Sequence, residues 1–180
     1  ANAAALREPI FYSAESAYSF QYRDLSVEKY ARDKEWLKKY RGFTPEEARK
    51  VVSALNDFLN DNLLKTLKGL RELPPEKWSI LSGFQFTVAD ITAKSGLPEV
   101  TVKAVVDAFT CSEDGNPTFT SLNEFNAVNA FPVLRADGDN RILFLYVALT
   151  EALYETPFYW MNSDKTYADV AKTNRGMFTE

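Results

Sequence analysis

Apolar residues at 48, 51, 52, 55, 58, 59, 63 and 67 recur close to every 3.6 positions and predict one long amphipathic helix. Its start is marked locally. Thr44 is placed to cap, Pro45 suits the first helical position, and Glu47 can complete a capping box. The helix should run to about Leu67 or Leu70, with Gly69 near its end. Upstream, Val27, Tyr30, Leu37 and Tyr40 mark one face of another helix, with Ser26 as its expected N-cap and Gly42 as its stop. Residues 9–24, rich in Phe11, Tyr12, Tyr18, Phe20 and Tyr22, read as an ordered arm or short helix lying on the core. Leu73-Pro74-Pro75-Glu76 breaks the chain and should start a short helix through Trp78 and Leu81.

Residues 86–109 carry the most informative pattern. Thr87 caps a short helix with Val88 and Ile91 inward, and Gly96 supplies a turn. Pro98 opens a second helix with Val102, Val105, Val106 and Phe109 inward. Two helices crossing steeply need a small residue at their contact, here Thr92, and a glycine between them, so the segment reads as a helix-turn-helix. A polar loop (111–117), a short strand (118–121) and a helical piece (122–128) should follow. Strands at 131–134 and 142–145 then flank Asp137-Gly138, a hairpin signal that would supply the wing of a winged helix. Helices are expected at 146–154, from Pro157 to Met161, and from Asp164 to Thr173, the last stopped by Asn174-Arg175-Gly176. The expected fold is mainly α with a small β-hairpin, a helical N-terminal region packing on a winged-helix-like core. The expected organisation is 1–82, 83–146 and 147–180 within one compact unit.

Composition narrows the chemistry. The 180 residues include no histidine and one cysteine, Cys111. Imidazole bases, histidine-dependent triads and His/Cys zinc sites are excluded within this sequence. No internal disulfide can form, which fits a cytoplasmic setting, and Cys111 reads as an incidental thiol in a polar loop. No apolar run reaches membrane-spanning length, and neither a signal peptide nor a glycine-rich phosphate loop is recognisable. Glu151, Glu155 and Asp164 lie near Tyr154, Tyr159 and Tyr167, but at helical spacings that read as exposed faces rather than an acid/base pair. No catalytic residue, metal ligand or cofactor is expected.

Charge redirects the helix-turn-helix reading. The net −4 hides an asymmetry: residues 1–80 hold 14 lysines and arginines against 12 acids, and residues 81–180 hold 7 against 13. The expected recognition helix offers Glu99, Lys103 and Asp107, and no Arg, Asn or Gln to read base edges. Residues 29–41 are more cationic. Lys29, Arg32, Lys34, Lys38, Lys39 and Arg41 stand against Asp33 and Glu35, interleaved with Tyr30, Trp36 and Tyr40. Lys29, Arg32, Lys38, Lys39 and Arg41, with Lys103, are therefore the candidate nucleic-acid contacts. The competing reading is a solvated face over an aromatic stripe.

The stretch Leu149-Thr150-Glu151-Ala152-Leu153-Tyr154-Glu155-Thr156-Pro157-Phe158-Tyr159-Trp160-Met161 is followed by Asp164, Tyr167 and Asn174-Arg175-Gly176-Met177-Phe178-Thr179-Glu180. Together with Arg7-Glu8-Pro9-Ile10-Phe11-Tyr12 and Gln21-Tyr22-Arg23-Asp24, it resembles a region of large bacterial multidomain proteins. That region precedes a C-terminal nuclease-related, restriction-endonuclease-like domain. The resemblance implies that Glu180 matches an acidic residue on the first helix of the nuclease-like domain, and that the metal-binding acids and catalytic lysine lie downstream. Both ends of the chain read as cut. The expectation is a non-catalytic regulatory or scaffolding fragment that contacts the downstream domain of its own polypeptide or a protein partner. Contact with nucleic acid is the weaker expectation, no membrane contact is expected, and a DNA-binding winged-helix regulator is the alternative.

Overall fold

Local stop and start signals divide the chain much as the sequence predicts. A computed structural model describes residues 18–117, 119–121, 124–168 and 170. Helix α1 (Ser19–Lys29) is followed by a 3-10 turn (Ala31–Asp33), α2 (Lys34–Arg41) and the long α3 (Pro45–Leu70). Thr44 Oγ1 accepts from Glu47 N at 3.2 Å while the Glu47 carboxylate accepts from Thr44 N at 2.7 Å, which is the predicted capping box. Gly42 ends α2 at φ +85°, and a Cβ there would lie 3.2 Å from Ala104 Cβ, so the turn needs both the left-handed backbone and the missing side chain.

The expected single helix over 27–40 is instead broken at Tyr30. Ser26 is not an N-cap but a buried residue inside α1, its hydroxyl donating to Arg23 O at 2.7 Å. The prolines at 74 and 75 open only a 3-10 turn (Pro75–Lys77), and a second such turn (Leu81–Phe84) packs on α3. Helices α4 (Val88–Ser95) and α5 (Glu99–Ala108) follow, with Thr87 capping α4 through Asp90 and Gly96 at φ +66° between them. Val102, Val105, Val106 and Phe109 are all buried, as their spacing requires.

The β-structure is small. Strand β1 (Gln85–Phe86) precedes α4, and β2 (Leu134–Arg135) and β3 (Arg141–Ile142) form the hairpin. The sheet order is β1-β3-β2, antiparallel throughout, with Gln85 opposite Ile142 and Leu134 opposite the same residue. The strands are shorter than the apolar runs suggested, because Phe131 and Pro132 lie outside them and Leu143 turns into the core. Residues 119–121 are not a strand, and the helical piece is α6 (Ala127–Ala130). Residues 118, 122 and 123 lie outside the described set, as do 1–17, 169 and 171–180. These include the motif from Arg7 to Tyr12, the expected stop at 174–176 and Glu180.

The largest departure is α7 (Tyr146–Ser163), one helix where two were expected, with Pro157 inside it. An interior proline removes a backbone donor and crowds the preceding turn. Here the Tyr30 hydroxyl supports the neighbouring groups. It donates to Tyr154 O at 2.5 Å and accepts from Phe158 N at 3.2 Å, and Lys29 Nζ adds a bond to Tyr154 O at 2.8 Å. The break at Tyr30 and the continuity of α7 are thus two sides of one contact.

The main core joins the first half of α3 to α4, α5 and α7. Phe109 is fully buried in it, its ring 5.3 Å from that of Trp160. A second cluster (Tyr30, Trp36, Leu37 and Met161) carries Tyr167 and Val170 at its edge. Among the described residues, no helix is long and apolar enough to cross a membrane.

Candidate functional site

The surface formed by α5 and the β2–β3 hairpin is where a helix-turn-helix with a wing would meet a duplex. Its outward side chains are Glu99, Val100 and Lys103 on the helix, and Arg135, Asp137, Asp139 and Asn140 on the hairpin. Val100 is 76% exposed. Lys103 is paired with Asp107 one turn along. Arg141, only 9% exposed, reaches the same carboxylate from β3, with Nη2 3.8 Å from Oδ1. Asp107 therefore draws in one cation from the helix and one from the strand, and binds the hairpin to α5. The i, i+4 spacing of Lys103 and Asp107 was legible in sequence, but the Arg141 contact required the fold.

The cationic stretch 29–41 is split over α1, the 3-10 turn and α2, so its six cations do not share one helix face. Several are engaged locally. Lys29 holds Tyr154 O and lies 3.4 Å from Glu155 Oε2 and 3.7 Å from the centre of the Tyr154 ring. Lys34 pairs with Glu46 at 3.1 Å, and Lys38 with Glu47 at 2.9 Å. Arg41 stacks its guanidinium 4.9 Å from the Trp160 ring. Lys39 is exposed, 5.0 Å over the Tyr40 ring, and Arg32 is exposed on the 3-10 turn. Lys103 belongs to the other surface. The fold thus brings Lys29 and Arg41 onto α7, and Lys38 to the start of α3.

Two buried or paired groups define the electrostatics behind this region. Burial pushes the Tyr30 phenol far above its ordinary range, so the hydroxyl that bridges α7 stays protonated. Asp24 is held below the ordinary aspartate range, chiefly by the hydrogen bond from Arg23 Nε at 3.0 Å, with Arg49 3.6 Å away assisting.

No group of acids and cysteine among the described residues is arranged to hold a metal ion. Cys111 is not in an open polar loop but buried, its N–H donating to Val133 O at 2.8 Å and its Sγ lying 3.6 Å from Gly115 O. A concavity beside α7 was not anticipated from the sequence. Two adjoining hollows of about 310 and 410 Å³ lie between α7 and the 125–131 segment, sharing Phe125, Ala130, Thr156 and Tyr159. Their signal in sequence was faint: Glu151, Glu155 and Tyr159 recur every four residues, but the opposite wall lies some 26 residues upstream of Thr156.

Comparison of the chain with protein-family models, with curated proteins and with solved structures finds no match.

Proposed function

We propose that this chain is a non-catalytic, winged-helix-like module that binds protein rather than DNA, acting as a regulatory or scaffolding region of a multidomain, nuclease-related bacterial protein. The winged-helix reading is supported by chain order. Helix α3, strand β1, helices α4 and α5, then β2 and β3 follow in that sequence, and β3 sits between β1 and β2. The nuclease connection rests on the sequence resemblance, and a cytoplasmic location on the lone thiol.

The observation that carries the protein-binding reading is the charge of the helix and hairpin surface. Glu99, Asp107, Asp137 and Asp139 oppose Lys103, Arg135 and Arg141, and Asp107 already engages two of those three cations. Duplex affinity depends on neutralising phosphates, and this surface has little free positive charge to do so. The test is a gel shift with labelled duplex DNA at low salt. No retardation is expected. A shift that disappears in the Lys38→Glu, Lys39→Glu double variant would transfer the function to the cationic helix and to nucleic acid. The same protein incubated with plasmid and Mg²⁺ or Mn²⁺ should leave the plasmid intact, and cleavage would refute the non-catalytic reading.

A further inference from the structure

The hollow between α7 and the 125–131 segment has a directional chemistry. On α7, Glu151, Glu155 and Tyr159 form one outward stripe at four-residue spacing, and Ala152, Thr156 and Trp160 form the stripe beneath it. Eight residues of α-helix rise about 12 Å, so the groove is acidic at one end and aromatic about 12 Å away. Phe125 and Phe131 supply the opposite apolar wall. Thr156 Oγ1 holds that wall in place by donating to Ala130 O at 3.4 Å. Phe125 and Tyr159 are each 66% exposed, although both are large and apolar in body. Among the described residues Glu151 forms no ion pair, and Glu155 pairs with Lys29 at 3.4 Å. Among the described residues, the two glutamates are the only charged side chains lining either hollow.

We infer that this groove is a docking site for a peptide segment of a protein partner, one that places an aromatic or aliphatic anchor between Phe131 and Trp160 and lysine or arginine beside Glu151 and Glu155. The inference rests on the protein-binding reading above and names the partner chemistry for it. Buried aromatic anchors supply most of the affinity of such grooves, and rim charges select the partner. An acidic peptide would meet repulsion at both glutamates. A purely apolar segment would leave Glu151 without a counter-charge, Glu155 keeping that of Lys29. A cationic amphipathic segment satisfies both ends, in the manner of a helix lying in a groove.

The experiment is selection from a random-peptide display library on the full chain, followed by affinity measurement of the enriched peptides. Peptides combining an apolar anchor with lysine or arginine are expected. Their affinity should fall about tenfold or more in Glu151→Lys, where attraction becomes repulsion. It should fall similarly in Tyr159→Ala, where the aromatic end is lost. Both substitutions change exposed side chains, and melting curves will verify that the variants remain folded. Enrichment of acidic peptides, no enrichment, or binding indifferent to both variants would overturn the inference. Self-association abolished by Tyr159→Ala would assign the groove to a second copy and likewise overturn it. Each of these failures leaves the DNA gel shift unaffected, so the general reading and this inference can fail separately.

Discussion

The α5–hairpin surface and the α7 groove are both exposed, both carry acids, and differ in what those acids meet. On the first surface, Asp107 is bound by Lys103 and approached by Arg141, so charge is settled within the molecule and the hairpin is fixed to the helix. In the groove, Glu151 stands without a cation among the described residues beside exposed Phe125 and Tyr159. The difference teaches that exposed acids on this fold are of two kinds, those paired within the molecule and those left open. On the helix–hairpin surface Asp107, Lys103 and Arg141 are paired within the molecule, whereas an exposed apolar and acidic surface lies on α7.

The comparison can be broken most strongly on α5 itself. Its inward face is structural, so Phe109→Ala should cost about 3–5 kcal/mol by removing a fully buried ring packed on Trp160. Its outward face should be nearly silent: Val100→Ser, at a 76% exposed site, should change stability by about 0.5 kcal/mol or less. Denaturant titration of the two variants measures both. A large cost at Val100 would mean that the outward face is covered.

Next in size is the support that α1 gives to the groove's own helix. Tyr30→Phe deletes the hydroxyl bridging Tyr154 O and Phe158 N next to Pro157, and should cost about 1–3 kcal/mol. The folded-state pKa of this phenol is raised, so its contribution is fully present below the ordinary tyrosine value of 10.0 and is lost as pH rises above it. Stability of the wild type should therefore fall with rising pH in the alkaline range. The phenylalanine variant should fall less steeply, retaining the share due to Tyr146, which burial also raises. Parallel alkaline slopes would contradict the assignment.

How much of this was legible in sequence depends on the range of the interaction. The caps at Thr44 and Thr87, the stop at Gly42 and the turn at Gly96 are set by residues within a few positions, and each appears where the pattern predicts it. The break at Tyr30 and the unbroken helix through Pro157 depend on a contact spanning 124 residues, so local rules gave the opposite answer in both places. The partners of Lys29, Lys34 and Lys38, which are Tyr154, Glu155, Glu46 and Glu47, come from other elements and could not be read locally. The groove was least legible, since its walls meet only in the folded chain.

At the acid end, Asp24 sharpens the role of α1. Its lowered folded pKa supplies stability that is fully present above the ordinary value of 3.8 and is lost as pH falls through the lower folded value. Asp24→Asn should flatten that part of the acid unfolding curve, and an unchanged curve would remove Arg23 and Arg49 as its cause. The smallest expected effect is Lys103→Ala. An exposed i, i+4 ion pair contributes about 0.3–0.5 kcal/mol, so the melting temperature should scarcely move.

The central claim, that the helix–hairpin surface does not read DNA, is tested most directly by an NMR titration of the full chain with duplex DNA at low salt. The backbone amides of Glu99, Val100, Lys103 and Gly138 are the reporters. The account predicts that these resonances stay in place as duplex is added. Saturable shifts at those four residues, weakening as salt is raised, would contradict it.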